Sequence, residues 1–286
     1  MANEYLSGFS LSNLMVPTKA ATVFAAQENS MFISGELIPQ VQVPAGSTVL
    51  NSALMSKITA TEITSEGALS NTQIGAAPQD FIAQTPTATA ANISLKLAAS
   101  RAVIRDFGGV DTSEIGRMLG NSIAEAVDKT AAGTLAGLTA QEITTGNLLN
   151  LNEIFSAVGT IRAGGEQGQL TGVINAASYA ELMTAVGNAA YAGGDFQTAA
   201  LRDGYIGMIA GVRMFVMSQF NDTNTGVTDV KAAIWGPDAC RMGVQGGVNL
   251  EIERRASAVG VDAVASMAYG MGVIDASRGV LIKDSA

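Results

Sequence analysis

The sequence predicts an α+β fold organised around one long helix, and three observations carry that prediction. Residues 112–136 (TSEIGRMLGNSIAEAVDKTAAGTLA) place apolar side chains at three- and four-residue spacings, as an amphipathic helix does. Residues 1–111 show almost no helical periodicity and are rich in Thr, Ala, Ser and Gly. Residues 140–286 mix helical and strand patterns and close on a run of strands. An extended arm, a spine helix and a mixed body together suggest a chain built to interlock with copies of itself.

Taken in order, residues 1–45 read as an extended or irregular arm, with one short helix near 20–27 and breaks at Pro39 and Pro44. Residues 46–91 contain ITATEIT and QTPTATAAN, whose Thr and β-branched residues favour strands, punctuated by Gly67, Pro78 and Pro86. So long an excursion without a core stripe fits a β-ribbon leaving the body better than an internal loop. In NISLKL (92–97), Ile93, Leu95 and Leu97 fall on one face of a strand.

The spine helix has candidate caps in Asp111 and Thr112, with Glu114 where a capping-box carboxylate belongs. Its apolar stripe is Ile115, Met118, Leu119, Ile123, Ala126, Val127, Ala131 and Leu135, and Gly137 is its stop. At 1.5 Å per residue it is roughly 37 Å long. Gly116, Gly120 and Gly133 each weaken it by about 1 kcal/mol relative to Ala, which suggests close approach of another backbone.

A second helix, 151–163, puts Leu151, Ile154, Phe155, Val158 and Ile161 on one face and stops at Gly164–Gly165. LTGVI (170–174) is a strand, and a helix over 176–186 turns Tyr179, Leu182, Met183 and Val186 inward. Residues 187–207 are Gly-rich and read as a loop with a short helix. GVRMFVMS (211–218) and DVKAAIW (229–235) are strands around the polar loop 221–228. Pro237 occupies a favourable first helical position. VNLEIERR (248–255), VDAVASMAYGMGVI (261–274) and GVLIK (279–283) complete the strands.

Composition narrows the function. The chain has 286 residues, 48% of them apolar, enough for a sizeable core rather than a disordered chain. Only 14% are charged, which suits a surface largely covered by neighbours. The net charge is −9 and no basic run exceeds Arg254–Arg255, which argues against a dedicated DNA or RNA groove. There is no histidine, so neither a Ser-His-Asp nor a Cys-His nucleophile can be built. Cys240 is the single cysteine, so no intrachain disulfide or thiolate metal cluster is possible. The N-terminus lacks the pattern of a signal peptide, and the apolar stretch 20–26 is too short to span a bilayer. The expectation is a protein that folds in a cytoplasm, with no membrane partner.

The candidate sites mostly have structural readings. Gly270-Met-Gly272 follows a strand, but Asp275 occupies the third glycine position of a dinucleotide fingerprint and no βαβ unit follows. A sheet that needs small residues explains it better. Gly120-Asn-Ser122-Ile-Ala124 loosely resembles a nucleophile elbow, but lies mid-helix. Asp222-Thr-Asn224-Thr-Gly226 is an oxygen-rich loop without the spacing or closing Glu of a Ca²⁺ loop, and reads as a turn. Glu251 and Glu253 share one strand face and adjoin Arg254 and Arg255. Glu253-Arg254-Arg255 with Asp262 is the densest mixed charge; it is either a solvated loop or a set of inter-subunit ion pairs. No metal, cofactor or catalytic residue is expected.

The second half carries a resemblance. The run from GVINAASYAELM through DGYIGMIAGVRMFVMSQF to VNLEIERRASAVGVDAVASMAYGMGVIDASRGVLI, together with the order of elements, resembles the major capsid proteins of tailed double-stranded DNA phages, the Hong Kong 97-like fold. The resemblance implies an N-terminal arm (1–45) and an extended loop over a neighbouring subunit (46–98). It implies a peripheral domain (99–139 and 248–274) with the spine 112–136, and an axial domain (140–247 and 275–286). It places the tip loop 253–262 near a three-fold contact. Lys57, Glu62 and Glu66 in the loop, and Glu253, Arg254, Arg255 and Asp262 at the tip, are then candidate subunit-interface residues. Lys57 lies where some family members crosslink, but nothing here identifies an acceptor Asn or activating acid.

The function so implied is a non-enzymatic coat that assembles as hexamers and pentamers into an icosahedral head around phage double-stranded DNA, without sequence-specific binding. Its expected partners are itself, a separate scaffolding protein (no long helical scaffold segment opens the chain, and Met1 begins it), a portal, and a decoration or cement protein. The expected location is the virion, after assembly in the bacterial host cytoplasm. The alternatives are an encapsulin-like compartment shell and, with less support, a secreted surface-layer or adhesin protein, which would need an export signal. An enzyme is the remaining class.

Overall fold

The computed structural model describes residues 11–55, 88–105, 112–143, 148–188, 208–218, 220, 230–255, 257 and 260–284. In chain order the helices are α1 (Leu11–Asn29), α2 (Thr112–Leu135), α3 (Leu151–Ala163) and α4 (Ala176–Asn188). The strands are β1 (Gln40–Gln42), β2 (Val49–Met55), β3 (Ala88–Ser94), β4 (Lys96–Arg105), β5 (Thr139–Ile143), β6 (Leu170–Asn175), β7 (Met208–Ile209), β8 (Val212–Met217), β9 (Val230–Trp235), β10 (Cys240–Arg255), β11 (Gly260–Val273) and β12 (Gly279–Asp284). They form a four-stranded sheet β1-β10-β11-β4, a six-stranded sheet β5-β12-β9-β6-β8-β7, and the pair β2-β3.

The spine α2 lies on one face of the four-stranded sheet. Leu119, Ile123, Val127, Ala131 and Leu135 are buried together with Val261, Ala263, Ala265, Met267 and Tyr269 of β11, which share one face by strand alternation. The Tyr269 hydroxyl donates to the Ala126 carbonyl at 2.9 Å and lies 2.9 Å from Thr130 Oγ1, tying sheet to helix. Met118, expected in the stripe, is 64% exposed, because the sheet covers a narrower arc of the helix than the periodicity implies.

The arm is where sequence and structure part. A 19-residue helix replaces the short one expected near 20–27. Thr18, Thr22, Ala25 and Ala26 are buried along it, against α2. Two of the weak points in the spine explain the fit. A Cβ on Gly116 would lie 2.6 Å from the Thr18 carbonyl oxygen and 2.8 Å from Ala21 Cβ. One on Gly120 would strike the Thr22 carbonyl and sit 2.9 Å from Ala25 Cβ. The glycines therefore let two helix backbones approach closely; Gly133, by contrast, is exposed. The candidate caps at 111 and the Val186 side chain lie outside the described residues, as do the loops 187–207 and 221–228 apart from residues 187 and 188, which lie in α4.

NISLKL is two strands rather than one. Leu95 breaks it, Ile93 is buried on β3, and Leu97 is 70% exposed on β4. β2 and β3 pair from Val49↔Ser94 to Met55↔Ala88, so the foot of the expected ribbon is an antiparallel ladder. β10 begins at Cys240, earlier than the alternation at 248–255 indicates, and a shift between Gln245 and Asn249 interrupts its ladder with β11. Pro237 opens no helix: Gly236 to Ala239 form a single turn closed by Ala239 N–H on the Gly236 carbonyl at 3.1 Å. A helix there would separate β9 from β10, which instead follow directly.

The second core lies between the six-stranded sheet and α3 and α4, around Leu149, Ile154, Ile161, Leu170, Ile174 and Leu182. Asn150 caps α3, its side chain accepting from Asn152 and Glu153 N–H, and Gly164 closes it. Phe155, placed on the inner face by spacing, is 44% exposed.

Candidate functional site

The charged surface expected at 253–262 is built by three neighbouring strands. Asp262 on β11 stands opposite Glu253 on β10 and Val103 on β4. Alternation places Glu251, Glu253 and Arg255 on the same outer face as Asp262, with Arg101 and Val103 beside them on β4. Arg254 stands opposite Val261 and belongs to the other face. The dense cluster of the sequence is thus divided between two sides of the sheet.

Asp262 has its principal partner within the chain. Arg101 Nε donates to its two carboxylate oxygens at 2.7 and 2.9 Å, and Nη2 adds a further bond. Arg255 Nη1 lies 3.7 Å away. The hydrogen bond from Arg101, followed by the charges of Arg101 and Arg255, holds Asp262 below the usual carboxylate range. The same contact raises Arg101. Arg101 is the residue that reading the sequence missed. It lies 161 positions from Asp262, and only the register of β4 against β11 brings the two together.

Apolar groups flank these charges. Leu97 and Val103, on the outward face of β4, are 70% and 45% exposed. Elsewhere Phe24 on α1 is 66% exposed. Lys57, Glu62 and Glu66 lie outside the described residues.

The remaining motifs resolve into packing. A Cβ on Gly270 would lie 2.5 Å from the Ser94 carbonyl oxygen, and one on Gly272 2.6 Å from Ile93 Cγ1. These glycines make room for the foot of the β2–β3 ribbon where it crosses the sheet, as the small-residue reading expects. Ser122 sits exposed within α2. Cys240 is buried, and burial pushes its thiol up to about 12, which leaves it unreactive. The cage at 222–226 is outside the described residues.

An ion network unseen in the sequence braces the base of the six-stranded sheet. Arg278 reaches Glu166 and Asp238 at 3.2 Å each and Asp275 at 3.1 Å, while Arg241 holds Asp238 at 2.7 Å. Burial alone would raise Asp275, but the Ser277 hydroxyl and amide and then Arg278 bring it below its ordinary value. The network pins the turn at 236–239. Among the described residues no group of acidic or cysteine side chains could hold a metal, and no helix is long and apolar enough to cross a membrane.

A spine helix on a four-stranded sheet, a second α/β core and the β2–β3 ladder form an α+β architecture, and comparison with solved structures identifies it as the Hong Kong 97-like fold. The chain superposes on the capsid of the cyanophage P-SCSP1u with a TM-score of 0.64 and 16% identity, covering 88% of each chain. It matches a structure of Mycobacterium phage Che8 with a TM-score of 0.59 and 20% identity, over 82% of this chain and 84% of that one. It matches a virus-like particle from Pyrococcus furiosus with a TM-score of 0.63 and 11% identity, over 93% and 97%. No family model and no curated protein sequence matches the chain.

Proposed function

We propose that the chain is a phage major capsid protein, a structural coat subunit that assembles as hexamers and pentamers into the icosahedral head enclosing double-stranded DNA. The observation that carries this reading is the likeness to a phage capsid over 88% of both chains. The mechanism is assembly, in which many weak contacts repeat by symmetry and sum over a closed lattice. Residues 1–45 serve as the arm, 46–98 as the loop over a neighbour, 99–139 and 248–274 as the peripheral domain, and 140–247 with 275–286 as the axial domain.

In this reading Glu253, Arg254, Arg255 and Asp262 meet neighbouring subunits at the tip, and Lys57, Glu62 and Glu66 do so along the loop. The exposed Leu97 and Val103 beside Arg101 supply the apolar part of a contact whose rim is charged. A net charge of −9 suits an inner wall that does not hold packaged DNA tightly. A separate scaffold, a portal and a decoration protein are the expected partners, and the virion, assembled in the host cytoplasm, the location. The encapsulin-like compartment has less support, since the similar structures are mainly phage capsids. Electron micrographs of the purified chain, alone and co-expressed with the neighbouring head genes, are expected to contain closed shells. Strictly monomeric protein under both conditions would overturn the proposal.

A further inference from the structure

The joint between α1 and the spine contains a buried carboxyl group. Asp128 projects from α2 and is 8% exposed. Its partners are neutral: the Ser30 hydroxyl donates to Oδ1 at 2.7 Å, and the Met31 amide contributes a backbone bond. The same Ser30 hydroxyl accepts the Phe32 and Ile33 amides at 3.2 Å each, so it organises the turn that ends the arm helix. Phe32 then stacks on Trp235, with ring centroids 6.5 Å apart, and the indole N–H donates to the Leu37 carbonyl at 3.2 Å. One carboxyl thus sits at the head of a chain of contacts that fixes residues 30–38. A cleft of about 350 Å³, lined by Asn29, Asn121, Glu125, Met217 and Ser218, gives water a route to it.

The surroundings do little to balance a charge there. On its own helix Asp128 is flanked by Glu125 and Lys129, which pair with each other at 3.1 Å. β11 presents Tyr269, which bonds to Ala126 and Thr130, and the end of β8 with the residue after it presents the uncharged Val216, Met217 and Ser218. The end of α1 contributes Asn29 and Met31, with Glu28 exposed just before them.

We propose that Asp128 is a proton-operated latch that clamps the N-terminal helix to the spine when neutral and loosens the joint when ionised. Burial raises the carboxyl from 3.8 to about 6 in the docked state, against smaller opposing effects of Ser30 and Met31. The sign follows from linkage. A carboxyl whose folded pKa is raised stabilises docking fully below its free value and loses that contribution as pH rises through the docked value. Docking therefore weakens between pH 3.8 and about 6, by about a hundredfold in the equilibrium constant. The inference rests on the joint within one chain and is independent of the shell.

The 286-residue chain carries its own probe, because Trp235 is its only tryptophan and contacts the latched segment. Trp235 emission, followed from pH 3.5 to 8 with light scattering on the same samples, is expected to change at constant scattering with a midpoint between 3.8 and about 6 and to level off above that. Asp128→Asn keeps both hydrogen bonds without a charge, and is expected to flatten the transition and raise Tm at pH 7.5. Ser30→Ala removes a bond that favours the ionised docked form, so the loss of docking with rising pH grows, and the fall in Tm between pH 4.5 and 7.5 is expected to exceed that of the wild type. The wild-type profile persisting in Asp128→Asn, a fall in Tm in Ser30→Ala no larger than that of the wild type, or a Trp235 change that occurs only when scattering changes would each overturn the latch.

Discussion

Gly116 and Gly120 show how one missing Cβ decides a helix–helix contact. Each costs α2 about 1 kcal/mol of helix propensity, and each is retained where the α1 backbone comes within contact distance. Gly159 on α3 has the same propensity cost, yet nothing lies within 4 Å of where its Cβ would be. The two sites should respond oppositely to the same substitution. Gly159→Ala is expected to raise stability by about 0.5–1 kcal/mol in denaturant unfolding. Gly120→Ala is expected to lower it by about 1–3 kcal/mol, since a backbone carbonyl cannot swing aside as a side chain can. Equal, stabilising responses would mean that α1 yields freely. The sequence alone flagged Gly116 and Gly120 through their helix cost, but it could not say what filled the space.

At the scale of elements, periodicity succeeded wherever one face of an element is buried. The spine, α3, β11 and β12 have boundaries that agree with the pattern within a few residues. It failed for α1 because that helix buries Thr18, Thr22, Ala25 and Ala26 while exposing Phe24, so apolar and polar residues fall on the wrong sides of a simple stripe. Pro17, which has no amide hydrogen, further disguises it. The β2–β3 ladder offers a test of the ribbon. Met55 and Ala88 are directly paired, so an Asn-Gly turn can replace residues 56–87 and close the hairpin. The shortened chain is expected to stay soluble, with an unchanged thermal transition, and to form no shells in micrographs. Intact shells from it would refute the assignment of that segment to inter-subunit contact.

For the whole molecule, the charged outer face of the four-stranded sheet is the part of the candidate site that was half legible. Glu253, Arg254, Arg255 and Asp262 were visible as a charge cluster, but their division between two faces depends on strand register. Their partner Arg101 depends on the neighbouring strand. Glu253→Lys would set a cation among Arg255 and Arg101 on that face. Such an exposed change is expected to alter folding stability by no more than about 0.5 kcal/mol. It is expected to lower the yield of shells, with recovery at high salt as repulsion is screened. Unchanged assembly at low salt would remove this face from the interface.

The sequence by itself determined the class of fold, the spine helix, most of the strands and the absence of a histidine-based or cysteine-cluster chemistry. These follow from composition and from periodicities of two and 3.6 residues, which act over neighbouring positions. The tertiary structure alone decided that the arm is a helix docked on the spine, that Asp262 belongs to Arg101, that Arg278 gathers three carboxylates, and that Asp128 lies buried beside Ser30. Each of these joins residues far apart along the chain, and burial and register, which set their energies, exist only once the elements have packed.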